Sequence, residues 1–119
     1  MEIRMKHKLK HDRFAKARDG SRFLNIFCSA CGGHIALYQK DGLGGLVRLY
    51  LDRLIEPKEL AILQFEGHTK STLPDLKCLK CGTLVATPMV YEPENRLALR
   101  LIHGKFLKKK SDGSSLSAC

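Results

Sequence analysis

A short motif occurs twice in this chain, as Cys28-Ser29-Ala30-Cys31-Gly32 and as Cys78-Leu79-Lys80-Cys81-Gly82. Two cysteines three positions apart can turn both sulfurs into one hollow. A glycine after the second lets the backbone double back while its amide approaches a sulfur. Two such turns supply four thiolates, the closed tetrahedral donor set of a structural zinc ion, with no position left for water. The sequence therefore predicts one structural Zn2+ held by Cys28, Cys31, Cys78 and Cys81. Four thiolates also bind iron, so the donor set does not by itself choose the metal.

Disulfides would need an oxidising compartment, and a redox-active Cys-x-x-Cys pair would need a βαβ context. Met1-Glu2-Ile3-Arg4-Met5-Lys6 leads into no apolar signal region, and no stretch approaches the ~18 apolar residues of a membrane span. The expectation is a cytoplasmic protein with reduced thiols and no membrane partner. No βαβ pattern is visible. Cys119, the fifth cysteine, ends a polar segment and reads as an exposed free thiol without a role.

The 119 residues suit one domain with a modest core. With 44% hydrophobic and 28% charged residues, the composition is that of a globular protein and not of a disordered chain. The net charge of +9 is unevenly placed. Residues 1–22 carry Arg4, Lys6, Lys8, Lys10, Arg13, Lys16, Arg18 and Arg22 against Glu2, Asp12 and Asp19, which is +5. Residues 23–104 carry nine basic and eight acidic side chains, a balance of +1, and Lys105, Lys108, Lys109 and Lys110 against Asp112 add +3. A balanced domain with two basic ends favours polyanions through counterion release, without sequence preference. RNA or DNA is thus the first partner class, with Arg4, Lys6, Lys8, Lys10, Arg13, Lys16, Arg18, Lys108, Lys109 and Lys110 as phosphate contacts. The competing meaning of the same charge is solubility.

Three segments follow: a basic arm over 1–21, either a short helix or loose; a zinc-binding β domain over 22–108; and a Ser/Gly-rich disordered tail over 109–119. Phe23–Phe27 and Ile35–Gln39 read as strands entering and leaving the first cysteine turn. Gly42-Leu43-Gly44-Gly45 is a loop. Three glycines so close suggest a phosphate cradle, but no Lys-Ser/Thr pair and no βα unit accompany them. Leu46–Leu54 fits both a period of two and a helical period, and the flanking glycines and Pro57 favour a strand. Leu60–Phe65 is a further short apolar run, Leu76-Lys77 enters the second turn, Leu84–Ala86 leaves it, and Pro88 marks a break. Asn95–Ile102 and Lys105–Leu107 complete a mainly β, small antiparallel fold.

Two cysteine turns, each feeding a hairpin and widely separated, resemble the β-tent group of zinc folds more than a compact zinc ribbon, over roughly residues 23–107. That group includes the Yippee proteins, the thalidomide-binding domain of cereblon and the B-class methionine sulfoxide reductases. The resemblance implies two antiparallel sheets meeting at the zinc, in a β-tent or an elongated zinc ribbon. It does not carry an activity. The reductases place a nucleophilic cysteine in an Arg-x-Cys-x-Asn setting, where this chain has Arg96-Leu97-Ala98-Leu99-Arg100, and the cereblon ligand cage uses tryptophans, of which this chain has none.

Other residues offer bland readings. His7 and His11 could share a helix face but read as exposed residues of the arm. His34 could replace a cysteine as a ligand, although four thiolates make it unnecessary. Asp52, Glu56 and Glu59, interleaved with Arg53 and Lys58, read as a solvated ion-paired face. Gly-x-Ser-x-Gly, Walker and His-Glu-x-x-His motifs do not occur. The sequence points to a non-catalytic zinc module contacting nucleic acid through its basic ends. The alternatives are a protein-interaction or small-ligand module, and a thiol redox enzyme that zinc-bound cysteines would disfavour.

Overall fold

The structure, a computed structural model, describes residues 6–18 and 20–115. It is mainly β. Its strands are β1 (Ser21–Cys28), β2 (His34–Asp41), β3 (Arg48–Tyr50), β4 (Leu54–Glu56), β5 (Leu76–Lys77), β6 (Leu84–Tyr91), β7 (Arg96–Leu101) and β8 (Phe106–Ser111). Two antiparallel sheets result, one in the order β4-β2-β1-β8 and the other β3-β7-β6-β5. In the first, Leu24 pairs with Tyr38 and Ile26 with Ala36. Strand alternation puts these four on one face, and they join Leu49, Leu76, Val85, Leu99 and Leu101 of the second sheet in one buried core.

The ambiguous period of Leu46–Leu54 has a structural cause, and the single strand expected there is corrected. Arg48–Tyr50 pairs with β7 in the second sheet, a 3₁₀ turn at Leu51–Arg53 redirects the chain, and Leu54–Glu56 pairs with β2 in the first. Leu60–Phe65 is likewise not a strand. Lys58–Ala61 forms a helical turn, preceded here by α1 (Arg13–Lys16) and so labelled α2, and Ile62–Phe65 continues it as a 3₁₀ turn. Pro57 is the N-cap of α2, and the Pro57 carbonyl accepts from the Leu60 and Ala61 amides at 3.0 and 3.1 Å. Pro88 does not break β6. It pairs with Leu99, where β5, whose partners are Leu84 and Ala86, no longer runs alongside. A strand tolerates proline where one flank is open.

Of the N-terminal segment, residues 6–12 lie against the fold and Arg13–Lys16 form a short helix. Lys6 forms a β-bridge with Ser114, and the His7 amide donates to the Gly113 carbonyl at 2.9 Å. The buried Gln39 carboxamide pairs with the peptide of Lys10, accepting from its N–H at 2.7 Å and donating to its carbonyl at 2.9 Å. His7 Nε2 meets Glu56 Oε2 at 2.8 Å. Asp12 then caps α1 through the amides of Phe14 and Ala15. The segment is a strap across the outer face of the first sheet. At the other end of the chain, β8 extends through Ser111, past the expected start of the tail at residue 109.

Asp52, Arg53 and Glu56 do not form a solvated face. Arg53, 1% exposed, donates from Nε to Asp41 Oδ2 at 2.8 Å and from Nη2 to Asp12 Oδ1 at 2.5 Å, with Asp52 Oδ2 at 3.6 Å from Nη1. Asp52 also accepts from Arg96 at 2.7 Å, Arg96 donates to Glu94 at 3.0 Å, and Glu94 accepts from Arg18 at 2.6 Å. The Arg96 guanidinium lies between the rings of Phe14 and Tyr50, 4.1 and 3.8 Å from their centroids. The bond from Arg53 holds the Asp12 carboxyl down at about 2. Burial pushes Asp41 upward, but bonds from Ser21, Gln39 and Arg53 outweigh it and keep it below the usual range.

Removing one partner of a buried ion pair leaves the other charge uncompensated, so Arg53→Leu is expected to lower stability by about 3–5 kcal/mol in urea unfolding. The Asp12 contribution has a definite pH window. Its folded pKa of about 2 lies below the unfolded value of 3.8, so the unfolded chain takes up the proton first as pH falls. The gap in melting temperature between wild type and Asp12→Asn should be constant above about pH 5 and shrink steadily toward pH 2. A gap that widens on acidification would contradict the pairing.

Candidate metal centre

The two cysteine turns are built alike. In the first, the Cys28 amide donates to the Gly33 carbonyl at 2.8 Å and the Gly32 amide to the Cys28 carbonyl at 2.8 Å. In the second, the Cys78 amide donates to the Thr83 carbonyl at 2.9 Å and the Gly82 amide to the Cys78 carbonyl at 2.8 Å. Closing each turn requires left-handed backbone at its glycine, with φ of 75° at Gly32 and 78° at Gly82. Cys28 ends β1 and Cys78 follows β5, so each sheet contributes one turn.

The turns face each other. Cys28 Sγ lies 3.6 Å from Cys81 Sγ and Cys31 Sγ lies 3.5 Å from Cys78 Sγ, and all four sulfurs are within 4.8 Å of one another. Tetrahedral coordination with metal–sulfur bonds of about 2.3 Å puts sulfurs about 3.8 Å apart, so the cluster fits a four-thiolate metal site. The cysteines are free of disulfides. Cys28 and Cys78 are buried, while Cys31 and Cys81 are exposed. Lys80 of the second turn packs over the first: a Cβ at Gly33 would meet Lys80 Cδ at 2.9 Å and Cys31 Sγ at 3.3 Å.

The four thiols are not equivalent. The Thr83 hydroxyl, 3.1 Å from Cys81 Sγ, and the Thr83 amide pull Cys81 down to about 6. The Cys31 amide, aided by that of Ala30, lowers Cys28 against the effect of burial. At Cys31 the Gly33 amide pulls downward, but the Cys78 thiol, burial and the remaining thiols prevail and push it up to about 11. Thiols crowded in this way compete for protons that a bound cation would displace.

The remaining candidates scatter. His34 Nε2 is engaged by Asn25 Oδ1 at 2.9 Å and is no part of the thiol cluster. Lys6, Lys8, Arg13 and Lys16 are exposed on the strap and α1, and Lys108, Lys109 and Lys110 are exposed on β8. Lys10 and Arg18 are committed internally, Lys10 Nζ to the Asp52 carbonyl at 2.6 Å and Arg18 to Glu94. Arg4 and Cys119 lie outside the described residues. Sequence reasoning missed a groove of about 510 Å3 lined by Ile35, Pro57, Leu60, Leu76 and Leu79, with Glu56 and Lys77 among its polar residues. It lies between β4 and α2 on one side and β5 and the second cysteine turn on the other, β4 and β5 each being one edge of its sheet. Only the pairing of distant strands creates it.

No helix of the described residues is long and apolar enough to cross a membrane. In comparisons with protein-family models, characterised proteins and solved structures, nothing matches this chain.

Because left-handed backbone costs a residue with a Cβ about 1–2 kcal/mol, Gly32→Ala and Gly82→Ala should each lower stability by about that amount and weaken metal retention. Gly67→Ala, also at positive φ but remote from the thiols in sequence, should lower stability without changing metal retention. Metal analysis after dialysis, beside thermal melts, separates the two effects.

Proposed function

We propose that this protein is a non-catalytic zinc-binding module, β-tent in type, that contacts nucleic acid through a basic surface assembled from both ends of its chain. The fold reading is supported by two antiparallel sheets that each deliver one cysteine turn to a common thiol cluster. Cys28, Cys31, Cys78 and Cys81 would hold one Zn2+, which as a closed site supplies cross-linking and not catalysis. Zinc is favoured over iron because its filled d shell imposes no geometry of its own and it resists redox change in a partly exposed site.

The observation that carries the nucleic-acid reading is the pairing of Lys6 with Ser114, beside β8. It brings Lys6 close to the end of the strand that carries Lys108, Lys109 and Lys110. The two basic ends thereby meet at the β8 edge of the first sheet, with Lys109 on its outer face and Lys108 and Lys110 on the other. Lys109 lies 5.8 Å from the Phe27 ring centroid, and Phe27 meets His34 edge-on at 5.4 Å, so aromatic surface borders the cations. Such a surface suits single-stranded nucleic acid, where backbone charge and base stacking act together. A small-ligand module, for which the groove between β4 and β5 supplies a cavity, is the reading that remains if no nucleic acid binds.

One zinc per chain is expected by metal analysis, and stripping it with a chelator should abolish the cooperative melt. A metal-free protein that still melts cooperatively would refute the structural role. Binding to single-stranded RNA and DNA should weaken steeply with salt. Replacing Lys108, Lys109 and Lys110 together by Glu should flatten that salt dependence by roughly one power of salt concentration per lost phosphate contact. An unchanged slope would remove β8 from the interface.

A further inference from the structure

The loop between β2 and β3 contains three glycines, and the fold requires only the first. Gly42 has φ +85°. Gly44 and Gly45 have no positive φ, and a Cβ built on either meets nothing within 4 Å. Neither backbone conformation nor packing calls for glycine there. What the missing side chains leave is open space, and Gly45 borders a pocket of about 160 Å3.

The pocket is lined by Arg18, Lys40 and Arg48 and by Tyr38, Tyr50 and Tyr91. Arg18 is matched by Glu94, and Asp41, which also lines the pocket, is bound by Arg53, Ser21 and Gln39. Lys40 Nζ donates to carbonyls alone, those of Asp41 at 2.9 Å and Gly42 at 3.4 Å. Arg48 lies over the Tyr91 ring at 4.3 Å, makes one long bond to the Tyr50 hydroxyl at 3.4 Å, and leaves its buried Nε without a partner. Its direct cross-strand neighbour on β7 is Arg100. Like charges in that register repel. Among the described residues, no carboxylate lies within ion-pair distance of Lys40, Arg48 or Arg100.

The missing component is an anion. A carboxylate carries one charge and two acceptor oxygens, whereas a phosphate carries nearly two charges and three oxygens, closer to what two unmatched lining cations require. We propose that this pocket binds a phosphate group, with Lys40 and Arg48 as its hydrogen-bond donors and Gly44-Gly45 leaving room for its approach. Burial, and then repulsion from Arg22 and Arg18, already weakens the proton affinity of Lys40, and a bound anion would restore it. A cavity of about 150 Å3 admits a benzene-sized molecule, so the phosphate can be free or can bring the first atoms of a small organic carrier against the tyrosines. The pocket is formed between β2 of the first sheet and β3 and β6 of the second, and its proposed donors, Lys40 and Arg48, are not among the cations assigned to the nucleic-acid surface, so the proposal does not rest on that reading.

The test is calorimetric titration of the full zinc-loaded chain with inorganic phosphate, adenosine 5′-monophosphate and adenosine. Saturable 1:1 binding of at least one phosphate compound, and none of adenosine, is expected. Tighter binding of the monophosphate assigns the site to phosphate monoesters, and equal binding assigns it to free phosphate. Loss of one charge-assisted bond should weaken binding about ten- to a hundredfold in Lys40→Gln and in Arg48→Gln. Gly45→Glu should abolish binding while the melting temperature holds, since its side chain enters open space. If Arg48→Gln fails to fold, the other two variants decide. The proposal is overturned if neither phosphate compound binds saturably, or if Gly45→Glu binds like wild type.

Discussion

Arg53 is the largest fully buried side chain among the described residues, and a guanidinium does not lose its proton to escape burial. Its charge must be met where it sits, and three carboxylates from different parts of the chain converge on it: Asp12 from the strap, Asp41 from the end of β2, and Asp52 from its own turn. That requirement fixes the path of the chain around it. The 3₁₀ turn at Leu51–Arg53, where the chain passes from the second sheet to the first, is the turn that carries Arg53 inward. The strap is held because Asp12 is needed at this site and α1 starts on the same carboxylate. Through Asp52 the charges continue to Arg96, Glu94 and Arg18, so one network links the strap, the first sheet and the second.

The thiol cluster and this network divide the work of joining the sheets. β2 starts beside the first cysteine turn and ends at Asp41, while β6 starts beside the second and ends at Tyr91, whose cross-strand partner is Arg96. The thiols therefore lie at one end of both strands and the buried charges at the other, with Leu24, Ile26, Val85 and Leu99 between them. A small domain buries limited apolar surface, and links at both ends of a modest core limit how far the sheets can open. Buried ion networks contribute little net stability when intact and cost much when broken. Their effect here is to specify which residues meet.

The same economy sets what remains available for binding. Lys10, Arg18, Arg53 and Arg96 are used internally, and two groups of cations without carboxylate partners among the described residues stand apart from them. One is the exposed edge strand that carries Lys108–Lys110, with Lys6 near its end. The other is Lys40 of the first sheet with Arg48 and Arg100 of the second, beside Tyr38, Tyr50 and Tyr91. Charge counted along the sequence put the excess at the two ends and made 23–104 nearly neutral. Pairing the carboxylates of that segment in the fold shows that neutrality to be uneven, because Asp41, Asp52 and Glu94 are taken by Arg53, Arg96 and Arg18.

Features that depend on local spacing were legible from the residues alone. Cys28, Cys31, Cys78 and Cys81 were legible as one donor set because a Cys-x-x-Cys-Gly turn shapes itself within five residues. The strands around Phe23–Phe27, Ile35–Gln39 and Asn95–Ile102 were legible because alternation is a property of neighbours. The rest depends on contacts between distant segments. Leu46–Leu54 divides between two sheets, Pro88 stays inside β6 because β5 stops short of it, and Arg53 is interior because Asp12 and Asp41 meet it there. A local pattern fixes the period of a segment, but whether a charged or apolar residue is buried depends on partners brought from distant positions, and those are set only when the two sheets close on each other.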